Sequence, residues 1–165
     1  VDRISEEARP RGVNPRLEVT TNGTLPIDTA ADVVWVSVDG LRETHDRIRG
    51  QSFDRIMANL EASSHPKILA HVTINSLNWQ EVPALVEHLS TKVRGITVQF
   101  HYPYDEVTNE LLLPFDKRRE VLDHLIESDP SPEWRQRLAV GQEDIDLEPL
   151  VLVALVLYCH PAVFG

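Results

Sequence analysis

The sequence predicts an α/β protein, a partial (β/α) barrel in which a parallel sheet of about four strands carries helices on its outer face. Short apolar segments rich in β-branched residues alternate with segments whose apolar residues recur at helical spacing. This alternation indicates strand–helix–strand units with right-handed crossovers. The predicted strands are apolar on one side and polar on the other, whereas parallel strands covered by helices on both faces are almost uniformly apolar.

Four segments are predicted as strands because each has the length and the β-branched content of one. The first, residues 16–21, stops at the turn pair Asn22-Gly23. The others are residues 33–38, residues 67–75 and residues 96–101.

Three helices are predicted, one after each of the second, third and fourth strands. Their apolar faces are Phe53, Ile56, Met57 and Leu60 for the first, Val82, Leu85, Val86 and Leu89 for the second, and Val121, Leu122, Leu125 and Ile126 for the third, which covers residues 114–126. Ser52 is the predicted N-cap of the first helix. Asn78 and Glu81 have the spacing of a capping box before the second.

Polar side chains share one side of the predicted strands and gather at the carboxyl ends. They are Ser37 and Asp39 on the second strand, Thr73 and Asn75 on the third, and Gln99 on the fourth. Buried polar groups persist only where something satisfies them, and barrel enzymes place their sites at this end of the strands. The pattern predicts a polar ligand in the barrel interior. An open two-layer sheet with water on that side is the alternative.

The segment after the second strand is rich in polar groups. Gly40 lets the chain turn, and the residues predicted in a strand-to-helix loop above the same opening are Glu43, His45, Asp46 and Arg49. Arg49 could instead be a surface partner of Asp46, which lies three residues away. The pair Asp39-Gly40 could be turn chemistry alone.

Composition and charge narrow the class of protein. The chain has 165 residues, a formal net charge of −10 and a pI of about 5.1, without a basic stripe that would bind nucleic acid. Its longest apolar run, residues 150–158, is shorter than the ~20 residues that span a bilayer, so no membrane segment is expected. The single cysteine, Cys159, excludes an intramolecular disulfide, and a cytoplasmic location is expected.

Five motifs resemble, in order, those of a known enzyme superfamily. They are TTNGT (20–24), VSVDG (36–40), ETHDRIRG with SFDRIMANL (43–50 and 52–60), HVTINSLNWQEV (71–82) and GITVQFHYPY (95–104). Through them, residues 17–126 resemble the C-terminal part of the catalytic barrel of radical S-adenosylmethionine (SAM) enzymes. The likeness is greatest to the branch that contains cofactor-maturation and peptide-modifying enzymes.

The resemblance implies that SAM binds across the carboxyl ends of the strands. The residues implied are Ser37, Asp39, Arg49, Arg55, Thr73, Asn75 and Gln99. Ser37 would bind the methionyl carboxylate or the ribose, and Asp39 would support the ribose or orient the loop. Either Arg49 or Arg55 would pair with the SAM carboxylate, to which a guanidinium fork is suited. His101 and Tyr102 would lie nearer a small-molecule or peptide substrate, whereas His71 is interpreted as a hydrogen-bonded interior histidine.

The resemblance also implies a [4Fe–4S] cluster, held in that superfamily by a Cys-x3-Cys-x2-Cys loop. One cysteine cannot hold it, and the Gly-Gly-Glu segment that binds the SAM amino group is absent as well. We therefore interpret the chain as a fragment or a degenerate relative of a radical SAM enzyme. The intact protein would reductively cleave SAM to a 5′-deoxyadenosyl radical, whereas the chain alone is expected not to cleave SAM and to bind it weakly or not at all.

Two other functions stay open at this point: a non-catalytic SAM-binding or scaffold remnant, and an ordinary α/β-barrel lyase or isomerase. A lyase or isomerase would use a lysine or a carboxylate base at a strand top. The only strand lysine, Lys67, lies at the wrong end of its strand.

Two regions are predicted, a partial barrel over residues 1–127 and an unassigned tail over residues 128–165. Within the tail, residues 149–161 could form a buried strand or a short helix. The strand at residues 16–21 would present an open edge, which predicts self-association.

Overall fold

The computed structural model describes residues 7, 16–103, 108–128 and 155–158. Within them the chain forms a five-stranded sheet in the order β1-β2-β3-β4-β5. The strands are β1 (Glu18–Thr21), β2 (Val33–Ser37), β3 (Ile68–Ile74), β4 (Gly95–Phe100) and β5 (Leu155–Tyr158). β1 to β4 are parallel, and β5 is antiparallel to β4. The four predicted strands are confirmed, with ends that differ by one or two residues.

The helices lie between and after the parallel strands. They are α1 (Arg42–Arg49) and α2 (Phe53–Ala62) after β2, α3 (Val82–Ser90) after β3, and α4 (Phe115–Ser128), which follows a 3-10 turn at Thr108–Leu111. The predicted α/β fold with a parallel, partial-barrel sheet is confirmed. In the described ranges, no helix has the length and apolar content needed to cross a membrane.

The core lies between the helices and one face of the sheet. Val36, Ala70 and Ile96 are paired across β2, β3 and β4, and each is at most 1% exposed. The helices add Ile56, Leu60, Leu85, Leu89, Val121 and Leu125 to the same cluster. Because burial of apolar surface is the main favourable term in folding, this core determines which side of each strand faces the helices.

The opposite face of the sheet carries the polar side chains. Residues paired in register point to the same side of a sheet. The register therefore places Ser37, His71 and Thr97 in one row, and Thr73 and Gln99 in the next row towards the carboxyl ends. We call these five residues the polar face. The predicted alternation along β2, β3 and β4 agrees with this register.

β1 is the edge strand of the sheet in the described part of the chain. Its Thr20 is paired with Trp35, which lies on the same side of β2 as Ser37. The indole Nε1 of Trp35 donates to Glu18 Oε2 at 2.9 Å. This contact holds the Trp35 ring against the outermost strand.

The segment predicted as a loop after β2 is the helix α1 instead. Glu43, His45, Asp46 and Arg49 all lie on it. Apolar periodicity is the usual signal of a helix, and α1 has almost none, since its one fully buried side chain is a histidine.

The helix caps also differ from the prediction. Ser52 is the N-cap of α2, but its hydroxyl makes no capping bond; Asp46 Oδ1 accepts from the backbone N–H of Ser52 and of Phe53, both at 2.9 Å. The prediction of a capping box formed by Asn78 and Glu81 is wrong too. No side-chain cap bond is found at α3, because both side chains face the turn after β2.

The tail predicted over residues 128–165 is described at Ser128 and at residues 155–158. Of the two alternatives for its apolar run, a strand is the one observed there, as β5. Cys159 and His160 lie outside the described residues. The division of the chain after residue 127 stays a prediction.

Candidate functional site

Asp39 lies just beyond β2 and is 3% exposed, and all its polar atoms have partners. Its backbone N–H donates to His45 Nδ1 at 3.2 Å, and its carbonyl accepts from Asn78 Nδ2 at 2.7 Å. Carboxylate Oδ1 accepts from the Thr73 N–H at 2.8 Å, and Oδ2 pairs with Arg49 Nε. Of the two roles implied for Asp39, orientation of the loop is the one these contacts support.

His45 is fully buried, and its surroundings define its tautomer. The Asp39 N–H can only donate, so Nδ1 must be the unprotonated nitrogen. Nε2–H then donates to Ser52 Oγ at 3.1 Å, and Ser52 Oγ–H donates to the Gly50 carbonyl at 3.0 Å. Burial lowers the pKa of His45 and outweighs Asp39, whose charge raises it. The imidazole is therefore neutral at pH 7.

Arg49 and Arg55 occupy different places. Arg49, in the last turn of α1, pairs with Asp39, and its side chain is 33% exposed. Arg55 is exposed on α2 and is not brought to this cluster. The alternative partner for Arg49, Asp46, is wrong because Asp46 Oδ1 instead binds the first N–H groups of α2.

Asn75 and Asn78 shape the turn after β3. Asn75 Oδ1 accepts from the Leu77 N–H at 2.8 Å, and the Asn75 N–H donates to Asn78 Oδ1 at 2.7 Å. Asn78 Nδ2 also donates to the Thr73 carbonyl at 2.8 Å. The structure thus gives Asn75, a predicted ligand residue, a role in the turn. Asn78 joins this turn to Asp39, a role that the capping-box spacing did not indicate.

Glu81 caps α1 from across the sequence. Its Oε1 accepts from the Leu41 N–H at 2.8 Å, and its Oε2 accepts from Thr44 Oγ1 at 3.1 Å. A Cβ on Gly40 would lie 2.5 Å from Glu81 Oε1. That Cβ would also lie 2.9 Å from Thr44 Cβ and 3.0 Å from the His45 backbone N, so a side chain at position 40 would crowd the first turn of α1 as well as the carboxylate, a reason for glycine that the predicted turn did not include.

The polar face forms the floor of the site. Gln99 Nε2 donates to Thr73 Oγ1 at 3.4 Å, a long hydrogen bond that leaves most of the amide's capacity unused. Thr97 is 6% exposed, and its Oγ1 is the one buried side-chain polar atom without a partner in the described part of the chain. Partly buried His71 has its pKa lowered by burial. The floor is thus neutral and rich in hydrogen-bonding groups.

Beyond the floor, the chain continues from β4 through His101 and Tyr102. The His101 N–H donates to the Ile74 carbonyl at 2.7 Å, which extends the pairing of β3 and β4 by one step. Tyr102 is 51% exposed. Both residues lie just beyond the carboxyl end of β4, and their proximity to a substrate stays a prediction.

A cleft of about 620 Å³ opens at the other end of the sheet, between the connections that enter β3 and β4. Lys92 in this cleft pairs with Glu61 at 2.6 Å. The cleft is remote from the polar face, so we place the candidate site at the carboxyl ends of β2, β3 and β4. Among the described residues, no group of three or more His, Cys, Asp or Glu is arranged to hold a metal ion.

Comparison with known proteins adds an independent observation. No family model matches the sequence. A curated relative, the Fe-coproporphyrin III synthase of Methanosarcina barkeri (strain Fusaro), is 30% identical over 141 residues, a match that covers 75% of this chain and 34% of the relative. The chain thus spans about a third of the length of that relative.

A solved structure, that of TYW1 with a lysine-pyruvate adduct bound, has a similar fold. The TM-score is 0.59 at 16% identity, over 78% of this chain and 45% of that chain. At 16% identity, the solved structure shows a similar fold and nothing more. The similarity of sequence comes from the curated relative. The chain is related to the radical SAM superfamily. The resemblance predicted from the sequence is confirmed, and the radical SAM motifs VSVDG and HVTIN lie on β2, on β3 and at their carboxyl ends.

Proposed function

We propose that this chain provides the SAM-binding face of a radical SAM enzyme whose cluster ligands lie outside these 165 residues. The observation that carries the proposal is the convergence of Ser37, Thr73 and Gln99 on one face of adjacent strands. Arg49 reaches the same end of the sheet through its pair with Asp39. Together they form a polar floor with one guanidinium at its rim.

The unpartnered Thr97 hydroxyl supports a polar ligand on this floor. A buried hydroxyl without a partner costs roughly 1–3 kcal/mol, so such atoms are rare unless something else satisfies them. His71 lies beside Thr97 in the same row, and Ser37 lies beyond His71 on β2. A nucleoside or an amino-acid group of SAM carries the hydroxyl, amino and carboxylate groups that these side chains can bind.

Arg49 is the residue that we propose for the SAM carboxylate. Its Nε is engaged by Asp39, and a third of the side chain is exposed, so the terminal nitrogens of the guanidinium can face a ligand. A guanidinium binds a carboxylate through two parallel hydrogen bonds. Arg55 is exposed on α2 and has no hydrogen bond or ion pair with Asp39 or its partners among the described residues, so it is the weaker of the two predicted candidates.

The cluster does not fit the residues that are described here. A [4Fe–4S] cluster needs thiolate ligands, and the chain has one cysteine. In the intact protein, a cluster held by other residues would supply the electron that cleaves SAM reductively into methionine and a 5′-deoxyadenosyl radical. The part that we assign to this chain is to bind SAM, orient its carboxylate and exclude water from one side. A reducing compartment such as the cytoplasm suits that chemistry.

The substrate class is a separate proposal. The curated relative is named for Fe-coproporphyrin III. An iron tetrapyrrole is therefore the small molecule that we propose to test first, ahead of peptides.

The two rival functions predict different residues on the polar face. A lyase or isomerase needs a lysine or a free carboxylate there, whereas the face is neutral and Lys67 lies at the amino end of β3. A non-catalytic SAM-binding or scaffold remnant would keep the fold without the cluster. Iron and sulfide analysis of the full-length gene product, reconstituted without oxygen, separates these functions, since absence of iron would exclude radical SAM chemistry.

Gln99→Leu in the same full-length protein tests the site itself. The Gln99 side chain makes one long hydrogen bond in the fold, so its loss should change stability little. We expect the dissociation constant for SAM, measured by calorimetry, to rise about tenfold, equivalent to one hydrogen bond of roughly 1.4 kcal/mol.

Gln51→Leu is the matched control. It replaces the same amide side chain with the same apolar one, but at an exposed position. Gln51 lies in the connection between α1 and α2 and is not part of the polar face. We expect the control to bind SAM as the wild type does. Equal SAM affinity of Gln99→Leu and the wild type would remove Gln99 from the site.

A further inference from the structure

The α1 helix contacts Asp39 at two points. His45 and Arg49 are four residues apart, so they lie on the same side of the helix. His45 binds the backbone N–H of Asp39, and Arg49 pairs with its carboxylate. The position of the Arg49 guanidinium thus depends on where the Asp39 main chain is held.

His45 is the better anchored of these two residues. It is fully buried, its ring and that of Phe53 form a T-shaped contact at 5.8 Å between centroids, and its Nε2 is bound to Ser52. Arg49, by contrast, is partly exposed and has a flexible side chain. A fixed imidazole can therefore position Asp39, which in turn positions the guanidinium.

We propose that His45 is a positioning residue of the SAM site, whose Nδ1 holds the Asp39 main chain so that the Asp39 carboxylate presents Arg49 to the ligand carboxylate. This inference rests on the proposed function and adds a residue that does not touch the ligand. The hydrogen bond needs an unprotonated Nδ1. A second proton on the ring would remove the acceptor and free the Asp39 N–H, while the bonds from Asn78 and Thr73 to Asp39 stay in place.

The charges around His45 come from each element packed against it. Asp39 and Asp46 raise its pKa, whereas burial and Arg49 lower it. His88 of α3 also contacts the Phe53 ring, at 6.0 Å between centroids, and Glu81 is bound to the first turn of α1. Burial is the largest of the effects on the pKa, so acid rather than neutral pH should break the bond to Asp39.

Three substitutions of His45 in the full-length protein separate positioning from simple packing. Asparagine places an oxygen near the position of Nδ1, and glutamine places one near Nε2. We expect His45→Ala and His45→Gln to raise the dissociation constant for SAM about tenfold, and His45→Asn to restore it to within about threefold of the wild type. Ser63→Ala is the control, because it removes a hydrogen bond to the Ile27 carbonyl near the far end of α2.

Amide hydrogen exchange at Thr73 is the second measurement, since its N–H donates to Asp39 Oδ1. We expect faster exchange in His45→Ala and His45→Gln than in His45→Asn and Ser63→Ala. Equal exchange and equal SAM affinity in all the His45 variants would overturn the inference. If the wild type binds no SAM, the proposed function fails, and the exchange pattern still decides whether His45 positions Asp39.

Discussion

Asp39 is a buried carboxylate whose burial is compensated locally. An unpaired charge inside a protein costs several kcal/mol, whereas hydrogen bonds and an opposite charge can offset that cost. The Thr73 N–H and the Arg49 guanidinium supply both. At the scale of single residues, the candidate site is therefore built around a carboxylate that serves the fold, with the proposed ligand-binding groups arranged around it.

Two histidines at the site should make the stability of the fold depend on pH. His45 and His71 have pKa values lowered by burial, while an unfolded histidine titrates near 6.5. Below about pH 6.5 the unfolded chain binds more protons than the folded one. Stability is thus complete above that pH and is lost as the pH falls towards the lowered pKa values. We expect the urea midpoint of unfolding to decrease between about pH 7.5 and about pH 5.5.

His45→Asn provides the comparison for this prediction, because it removes one of the two histidines whose pKa is lowered by burial. Its urea midpoint should depend less steeply on pH than that of the wild type. An equal dependence in both proteins would exclude His45 as a source of the effect. The chosen range lies above the ordinary pKa of carboxylates, so Asp and Glu contribute little.

At the scale of elements, Asp46 joins α1 to α2. Its Oδ1 accepts from the first two N–H groups at the start of α2, and these bonds lower the pKa of Asp46. Asp46→Ala leaves those donors without a protein partner, so we expect a lower urea midpoint. Asp46→Asn keeps an acceptor oxygen and should recover most of the loss. If the alanine variant is as stable as the wild type, the cap contributes nothing.

The elements that could be predicted from the sequence are those with a hydrophobic period. β2, β3 and β4 end within one residue of the predicted ends, and alternation along each strand places Ser37, Thr73 and Gln99 on the polar side. The row of Ser37, His71 and Thr97 depends on the register between strands, which the pattern does not give. The helix α1 could not be predicted in this way, because its inward residue is His45 and its remaining contacts are polar.

The hydrogen-bond network of the candidate site could not be predicted from the sequence, for a different reason. Asn78 meets Asp39 across 39 residues of sequence, and Glu81 meets Leu41 across 40. Spacing along the chain reports contacts within one element, whereas these contacts depend on how β2 and β3 are paired. The capping box was a local interpretation of residues whose partners are remote in sequence.

At the scale of the whole molecule, β1 leaves one edge of the sheet open in the described part of the chain. The Leu17 carbonyl accepts from the Val33 N–H at 3.2 Å, so in a parallel ladder the N–H groups of Glu18 and Thr20 point away from β2. Such an edge can pair with a further strand. We expect the 165-residue chain to self-associate as its concentration rises, measured by sedimentation velocity.

Thr20→Pro tests whether β1 is responsible for this association. Proline removes an outward N–H and leaves the bonds to β2 in place. We expect the variant to remain monomeric at concentrations where the unmodified chain associates. A monomeric wild-type chain at high concentration would contradict the prediction.

The hydrogen bond between Trp35 and Glu18 makes Trp35 an intrinsic fluorescent probe of this face of the sheet. The indole lies on the side of the sheet that faces the proposed ligand, one row below Ser37, and is bonded to the outermost strand. Its emission responds to the polarity around the ring. A new strand beside β1 and a cofactor above the sheet would thus each alter its fluorescence without an added dye.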